Sequence, residues 1–342
     1  MKKKLKIKFV DFAQGYNIDR FYIKQRLDML FDLELSDEPD WVVYSVFGSE
    51  HLRYGNCVKL FWTGENQAPD FNFCDYAIGF ENLSFGDRYL RFPLWLNYPA
   101  DVENMRNKHL NADIKSKTDF CSFVYSNSNA SKLRDVFYDA LSAYKKVNSG
   151  GRYRNNVGGA VEDKLAFQLK HKFVIAFENA RHNGYTTEKL VQAFGACAVP
   201  IYWGDPCVTT DFNPASFLNC SDYDSFEQVV ERVRQIDEND ALWCQMVGAP
   251  AMNDEKRVEE YNRQLDKFLF DIFSQDKEAA KRFSRDYWQL KLQRRREQEV
   301  KAYQRSIMGF LRTFYTKYIY QLTRRSPWLW AITQTLMKKA KV

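Results

Sequence analysis

Short apolar runs alternate with amphipathic stretches along most of the chain. The first part contains strand-like runs with one helix-like stretch among them, in the order LKIKFVDF, RFYIKQRLDMLF, WVVYSVFG, VKLFW and DYAIGF. Continuous apolar runs of this kind are typical of strands that are buried on both faces of a parallel sheet. The pattern therefore predicts alternating β and α elements around an open sheet.

The same rhythm restarts after the polar stretch NADIKSKTD, which we interpret as a domain boundary. The second part contains strand-like runs, CSFVYSN, FVIAFEN and VPIYWGD, and helix-like stretches, LRDVFYDALSAY, EDKLAFQLKHK, TEKLVQAFGACA and SFEQVVERVRQIDEN. Because 342 residues exceed the size at which a single core stops growing, two domains are expected. We predict an α/β fold in which two doubly wound domains face one another.

The commonest phosphate-binding signatures of doubly wound domains are missing. The first strand-to-helix turns of the two parts read VDFAQGY and VYSNSNA, and neither contains G-x-G-x-x-G. The sequence also lacks the G-x-x-x-x-G-K-[ST] pattern of a P-loop. Any nucleotide would therefore be bound by another arrangement.

Positive charge is concentrated at the C-terminal end. The net charge is +6, but residues 301–342 carry nine Lys/Arg and no Asp/Glu, which leaves −3 for the rest. Eight aromatic residues share this tail, whose apolar residues recur at helical spacing: Ile307, Phe310, Leu311, Phe314, Tyr318 and Leu322. A cationic amphipathic helix is attracted to anionic lipid. We predict attachment of residues 301–342 to an anionic membrane surface and no nucleic-acid partner, with packing of the helix on the protein as the alternative.

The remaining composition favours a cytoplasmic protein without a structural metal. No run of about 18 apolar residues is present, and lysines interrupt the apolar residues of the N-terminal stretch MKKKLKIKFVDF. Seven cysteines without C-x-x-C spacing are typical of reduced thiols rather than of a disulfide framework or a zinc site. We therefore expect the cytoplasm, with the tail holding the protein on the inner face of the membrane.

A cluster of polar residues lies where one predicted strand passes into a helix, in FENARHNGYTTEKLVQAF. Glu178 and Asn179 follow the strand, at the edge where open α/β sheets bind ligands. Lys189 lies in the first helical turn, where a cation is unfavourable by about 0.3–1 kcal/mol unless a negative group is near. Helical spacing places Lys189 toward the crevice and Glu188 at its rim. The negative group is an anionic ligand or, alternatively, a carboxylate of the protein.

Two other positions supply charges that would suit a nucleotide-sugar site. Arg154 lies with Arg152 in the glycine-rich loop SGGRYRNNVGG, where arginine can bind phosphate, although such loops are also common as exposed turns. Glu65 follows the run VKLFW, so its carboxylate could deprotonate a hydroxyl group, or it is a solvated turn residue. A diphosphate held by one domain and a base offered by the other meet the requirements of sugar transfer from a nucleotide donor.

A metal site is a weaker interpretation of the acidic residues. Asp222 and Asp224 have the spacing that metal-dependent transferases use to hold a divalent cation. They also lie just before the predicted helix SFEQVVERV, where an aspartate is a common cap. We favour the cap and predict no obligatory metal, although a divalent cation stays possible.

Several separated motifs resemble one known family. FENARHNGYTTEKLVQAFGACAVPIYWGDP and DFNPASFLN resemble the donor-binding signature of the GDP-fucose-dependent α1,3-fucosyltransferases, glycosyltransferase family 10, above all its bacterial members. The similarity extends to FWTGENQAPDFNFCDYAIGF, DRYLRFPLW, SFVYSNSNASKLRDVFYDAL and GGRYRNNVGG, and covers roughly residues 57–225. The resemblance implies a GT-B fold with two Rossmann-like domains around a central cleft: an acceptor domain over 1–115, a donor domain over 116–275 and a helical tail over 276–342.

The resemblance also implies a reaction and a set of site residues. The reaction is inverting transfer of L-fucose from GDP-β-L-fucose to the 3-hydroxyl of GlcNAc in an N-acetyllactosamine-type glycan, as in Lewis-type or surface polysaccharide synthesis. Glu65 matches the general base, and Arg154 and Lys189 match the cations that hold the diphosphate. Further donor contacts are implied for Asn179, Tyr185 and Glu188.

Some residues depart from the family pattern and leave alternatives open. Ala180 replaces a usual serine, and Arg181 and His182 have no assigned role. A GT-B transferase with another sugar nucleotide or acceptor position is one alternative. A non-catalytic protein that binds a glycan or nucleotide at a membrane is the other, and such a protein would have no need of Glu65 as a base.

Overall fold

The structure is a computed structural model that describes residues 2–108, 113–128, 130–306 and 309. The described chain forms two sheets with the strand orders β2-β1-β3-β4-β5-β6 and β11-β10-β9-β7-β8, and every neighbouring pair of strands is parallel. The first sheet contains β1 Lys4–Val10, β2 Asp32–Leu35, β3 Trp41–Tyr44, β4 Val58–Trp62, β5 Tyr76–Gly79 and β6 Tyr89–Arg91. The second contains β7 Asp119–Phe123, β8 Val147–Ser149, β9 His171–Phe177, β10 Val199–Trp203 and β11 Leu218–Asn219.

Helices connect and cover these strands. They are α1 Tyr22–Leu30, α2 Pro99–Arg106, α3 Leu133–Tyr144, α4 Lys164–Gln168, α5 Glu188–Gly195, α6 Phe226–Asp237, α7 Asp240–Gly248, α8 Arg257–Phe273, α9 Lys277–Ala280 and α10 Tyr287–Arg305. The α/β fold with two parallel sheets is confirmed. The helix predicted over EDKLAFQLKHK is shorter than expected, because its last two residues already belong to β9.

Each sheet has one point at which the order of strands along the chain reverses. This switch point lies between β1 and β3 in the first sheet and between β7 and β9 in the second. Open α/β sheets bind ligands beyond the carboxyl ends of their strands at such a point. The fold therefore offers one site on each half, and residues that follow β9 line a cavity together with residues that follow β1, β3 and β4.

The chain returns to the first half after completing the second. Helix α8 packs its buried residues Leu265 and Leu269 into the same core as Leu27 of α1, and the ring of Phe273 lies 4.6 Å from that of Trp41. This helix lies within the segment 116–275 that we assign to the donor domain, yet it covers the first sheet. The boundaries at 115 and 275 stay predictions.

A buried carboxylate holds the segment that follows α8 against the first sheet. Asp75 is fully buried and accepts hydrogen bonds from the backbone N–H of Lys59 at 2.8 Å and of Arg282 at 2.7 Å. The guanidinium of Arg285 adds an ion pair to Asp75 at 3.2 Å. Asp75 therefore anchors the start of α10 on the first half.

Helix α10 shows no buried residue along its described length. Of the apolar residues that predict an amphipathic tail, Ile307, Phe310, Leu311, Phe314, Tyr318 and Leu322 lie outside the described residues. Each helix in the described ranges is too short or too polar to cross a membrane.

We predict that Asp75→Ala lowers the free energy of unfolding by about 3 kcal/mol, because it leaves Arg285 without its buried partner. Urea denaturation measures this loss. The matched control is Asp87→Ala, since Asp87 pairs with Arg282 of the same segment but its side chain is 63% exposed. The control should lose less than about 1 kcal/mol. Equal losses for the two variants would contradict the anchoring role of Asp75.

Candidate active site

The end of β9 is bound to the start of α5 by one buried carboxylate. Glu178 follows β9, and its side chain is fully buried. Its carboxylate accepts hydrogen bonds from the backbone N–H of Thr187 at 2.8 Å and from the Thr187 hydroxyl at 2.7 Å. The ammonium of Lys189 donates to the same carboxylate at 3.0 Å. Strand, turn and helix are thereby fixed around a single acid.

The charges in this cluster depend on one another. Burial raises the pKa of Glu178. Burial alone would lower the pKa of Lys189, but the carboxylates of Glu178 and Glu188 raise it above its usual value. Burial likewise opposes ionisation of Glu188, whose pKa is nevertheless lowered by Lys189 and Lys164. Lys189 therefore stays protonated at any ordinary pH.

The structure supplies the negative group that the position of Lys189 requires. Its ammonium lies 3.0 Å from Glu178 and 3.6 Å from Glu188, so the ion pair with a carboxylate, one of the two sequence alternatives, is present. Glu188 lines the cavity between the halves, as expected for a residue at the rim. Lys189, which helical spacing placed toward the crevice, is not part of the cavity lining: its ammonium is directed to Glu178, and 13% of its side chain is exposed against 25% for Glu188.

The turn between β9 and α5 is held by Asp205, a residue that was not identified from the sequence. Asp205 accepts hydrogen bonds from the N–H of Gly184 at 2.7 Å and from the hydroxyl of Thr186 at 2.9 Å. Gly184 has a φ of +81°, and a Cβ there would lie 2.3 Å from the carbonyl oxygen of Phe80 in the first half. The tight turn therefore brings the two halves into contact.

Tyr185 is buried beside this contact. It is 2% exposed, and its ring packs 5.2 Å from that of Phe80. Burial raises the pKa of its hydroxyl, and the carboxylates of Glu178, Glu65 and Glu188 raise it further. The hydroxyl of Tyr185 is thus close enough to carboxylates of both halves for their negative charge to raise its pKa.

Arg154 has partners on α3. The backbone of Arg154 has a φ of +54°, and its guanidinium pairs with Asp139, lies 3.8 Å from Asp135 and stacks 4.4 Å from the centre of the Tyr138 ring. These contacts pair its charge with two carboxylates of α3. Asn179 is half-buried, and its carbonyl accepts the N–H of Ser131 at 2.9 Å.

A second arginine near the switch point of the second sheet was missed by sequence reasoning. Arg134 of α3 is 1% exposed and stacks 4.3 Å from the ring centre of Tyr125. The hydroxyl of Tyr125 accepts the N–H of Phe177 at 2.7 Å and donates to the carbonyl of Ile175 at 2.9 Å. Arg134 therefore supports the end of β9, although nothing in its spacing along α3 indicated this.

Glu65 lines a cavity of about 260 Å³ that lies between the two halves. The exposed Glu65 follows β4, and its N–H donates to the hydroxyl of Thr63 at 3.0 Å. Thr187 and Glu188 of the second half line the same cavity. Its aromatic lining is contributed by the first half: Phe12, Tyr16, Phe47, Trp62 and Tyr98. The fold thus brings Glu65 and Glu188, which lie more than a hundred residues apart in sequence, to one cavity.

The acidic pair Asp222 and Asp224 does not cap the helix that follows it. Ser225 caps α6 by accepting the N–H of Gln228, so the expected aspartate cap is wrong, since α6 begins at Phe226 and the residue before it is Ser225. Asp222 accepts a hydrogen bond from Asn219 at 3.0 Å. Among the described residues, no group of three or more His, Cys, Asp or Glu side chains could hold a metal ion. All seven cysteines are free thiols.

Two Rossmann-like halves with polar strand ends at a shared cavity define a protein of the GT-B class. Comparison with known families agrees: residues 7–98 match the Alpha-(1,3)-fucosyltransferase FucT N-terminal domain, and residues 114–248 match Glycosyltransferase family 10 (fucosyltransferase) C-term. The chain belongs to glycosyltransferase family 10.

Individual relatives agree with this assignment. The chain is 35% identical over 267 residues to Alpha-(1,3)-fucosyltransferase FucT of Helicobacter pylori, a match that covers 68% of this chain and 56% of that protein. It therefore spans about half the length of this relative. A crystal structure of an alpha1,3-fucosyltransferase superposes with a TM-score of 0.68 at 28% identity, covering 78% of this chain and 91% of that chain. A structure with GDP-fucose gives a TM-score of 0.65 at 28% identity, covering 78% and 92%.

We predict that Lys189→Met lowers the free energy of unfolding by about 3 kcal/mol at pH 8, because it leaves the buried Glu178 carboxylate without its cation. Burial raises the pKa of Glu178, so the folded variant takes up a proton more readily than the unfolded chain. Its stability should therefore rise relative to the unaltered protein as the pH falls from 8 to 5.

Urea denaturation at both pH values measures this dependence. The control is the double variant Glu178→Gln with Lys189→Met, in which no buried charge is left unpaired, and which should recover part of the loss at pH 8. A loss that is the same at pH 5 and pH 8 would contradict the ion pair as its cause.

Proposed function

We propose that this protein transfers L-fucose from GDP-β-L-fucose to the 3-hydroxyl of GlcNAc in an N-acetyllactosamine-type glycan, with inversion at the anomeric carbon and with Glu65 as general base. The observation that carries the proposal is the cavity that Glu65 of one half shares with Glu188 of the other, next to the ion pair of Glu178 and Lys189. The donor is supported by the crystallised relative with GDP-fucose and the acceptor chemistry by the α1,3-fucosyltransferase relative.

The second half would hold the donor. Lys189 keeps its charge because of Glu178, and the first turn of α5 adds the positive end of a helix dipole beside it. Both stabilise the negative charge that develops on the GDP leaving group. Asn179, Tyr185 and Glu188 would orient the ribose, phosphates or fucose, and Arg154 would supply a second cation from the glycine-rich loop. No obligatory metal is part of this proposal.

The first half would hold the acceptor. Its 3-hydroxyl attacks the anomeric carbon of fucose from the side opposite to GDP, the new C–O bond forms as the bond to the β-phosphate oxygen breaks, and Glu65 takes the hydroxyl proton. Attack from the side opposite to GDP inverts the configuration of the anomeric carbon, because the attacking and leaving oxygens lie on opposite faces of the sugar. Glu65 is exposed on the cavity, so its carboxylate is free to approach a hydroxyl group.

We predict that Glu65→Gln lowers kcat for transfer to N-acetyllactosamine by about 10²–10⁴-fold, the usual contribution of a general base, while the KM for GDP-fucose changes little. Product formation from GDP-fucose, followed by chromatography and by NMR of the new α-linkage, measures the effect. The matched control is Glu38→Gln, an exposed glutamate on the first half outside the cavity, which should keep full activity.

The outcomes separate the alternatives. Full activity of Glu65→Gln would overturn the base assignment. Turnover of another sugar nucleotide in place of GDP-fucose would favour a different GT-B transferase, and binding without any turnover would favour a non-catalytic protein. Loss of activity with chelator, recovered by added divalent cation, would require a metal in the reaction.

We also propose that the C-terminal tail attaches the protein to the inner face of the cytoplasmic membrane, where a lipid-linked or surface glycan would be its acceptor. The start of α10 exposes Tyr287 at 69%, Trp288 at 71% and Leu290 at 44%. Basic residues continue through 301–342. Exposed aromatic rings beside clustered cations suit the interface of an anionic bilayer.

We predict that the chain truncated after Glu299 loses binding to vesicles that contain phosphatidylglycerol, because it loses nine cations worth about 1 kcal/mol each near an anionic surface. Co-sedimentation with the vesicles measures the bound fraction. Phosphatidylcholine vesicles serve as the uncharged control. Equal binding of the full and truncated chains to the anionic vesicles would rule out attachment through the tail.

A further inference from the structure

The cavity beside Glu65 extends over the switch point of the first sheet. The loops that follow β1 and β3 supply Phe12, Tyr16 and Phe47 to its lining, and Tyr98 closes it from the start of α2. Ligands bind at such switch points in open α/β sheets. The position therefore suits a molecule that lies across the first half and ends at Glu65.

Three aromatic side chains at the mouth of this cavity are exposed, and together we name them the aromatic rim. Tyr16 is 41% exposed, Phe47 is 53% exposed and Tyr98 is 43% exposed. Below them the rings of Phe12 and Trp62 are stacked with centroids 6.0 Å apart. Clustered exposed rings do not contribute to folding by burial, and such patches mark binding sites.

The loops that carry Tyr16 and Phe47 are joined to one another by contacts of Asp11. Asp11 has a φ of +61°, and its buried carboxylate accepts the N–H of Glu50 at 2.7 Å and of His51 at 3.0 Å. The carbonyl of Asp11 accepts the N–H of Phe47 at 2.9 Å, and a Cβ on Gly48 would lie 2.2 Å from the Asp11 carboxylate. Loops that are already ordered lose little conformational entropy when a ligand binds to them.

The size of the cavity limits what fits beside Glu65. Its volume of about 260 Å³ lies below the 300–1,000 Å³ that is typical of sites for drug-sized ligands. We take the sugar ring that carries the attacking hydroxyl to fill it, which leaves the next ring of the acceptor at the exposed aromatic rim. Ser45, Asn97 and Glu65 offer polar groups within the cavity, whereas the rim offers ring faces.

We propose that the aromatic rim binds the second sugar of the acceptor, a β-linked hexopyranose whose C–H face stacks on Tyr16 and Phe47. This inference rests on the proposed fucosyl transfer, because Glu65 defines which ring is the first. The rim thereby makes the protein select a disaccharide over a monosaccharide acceptor. Stacking of a C–H face on an aromatic ring buries apolar surface on both partners.

The test compares N-acetyllactosamine with GlcNAc as acceptors. In Phe47→Ala, and separately in Tyr16→Ala, the ratio of kcat/KM for the disaccharide to that for the monosaccharide should fall by about tenfold, the equivalent of one stacked ring, mainly through the KM for the disaccharide. The KM for GDP-fucose and the thermal unfolding midpoint report whether the donor half and the fold are intact. The matched control is Phe270→Ala on α8, since Phe270 is also 53% exposed but lies outside the cavity, and it should keep the ratio.

An unchanged ratio in both rim variants, with the fold intact, would overturn the inference. Failure of the proposed function gives a different result, since the unaltered protein would then transfer no fucose to either acceptor. In that case saturation-transfer NMR with GDP and N-acetyllactosamine still decides: the galactose signals should be strong in the unaltered protein and weak in Phe47→Ala. Equal galactose signals in the two proteins would reject the rim as a binding surface.

Discussion

The buried ion pair between Glu178 and Lys189 is the interaction on which the site depends. It fixes the orientation of α5 relative to β9, because the Glu178 carboxylate also accepts hydrogen bonds from the N–H and the hydroxyl of Thr187. A buried acid of this kind is tolerated only with complete partners. The same pair keeps Lys189 charged at the start of the helix. One contact therefore neutralises the buried carboxylate and supplies the cation that the proposed binding of a diphosphate needs.

Preorganisation recurs on the first half with a different acid. There Asp11 fixes the two loops that carry Phe47 and Tyr16, just as Asp205 fixes the turn that carries Gly184 on the second half. In each case a buried carboxylate accepts two backbone N–H groups, those of Glu50 and His51 for Asp11 and those of Gly184 and Cys207 for Asp205, which loops otherwise leave to water. Side chains that face the cavity are therefore supported by rigid backbone, as a site that orients two substrates requires.

The apolar runs predicted the central strands, because buried parallel strands leave a continuous signal, and the amphipathic stretches predicted α1, α3, α4, α5 and α6. They missed β2, β6 and β8, which are short strands at sheet edges, and the helices α2, α7 and α8. Helix α8 follows the predicted series and returns to the first sheet. Within the site, spacing predicted that Lys189 needs a negative neighbour. It could not identify Glu178 as that neighbour, or Asp205 as the partner of Gly184, because both contacts close loops whose conformation depends on tertiary packing.

The separation of base and donor between two halves makes the inter-half contacts part of the site. Two of the contacts between the halves involve glycines, Gly184 against the carbonyl of Phe80 and Gly195 against the side chain of Asn104, where an added Cβ would lie 2.3 Å and 2.9 Å from its neighbour. Gln192 of α5 adds a hydrogen bond to Asp101 of α2 at 2.8 Å. These contacts hold α5 and the turn before it against the first half, and Glu188, the first residue of α5, lines the cavity that it shares with Glu65. The position of Glu65 relative to the second half therefore depends in part on two glycines that leave no room for an added Cβ.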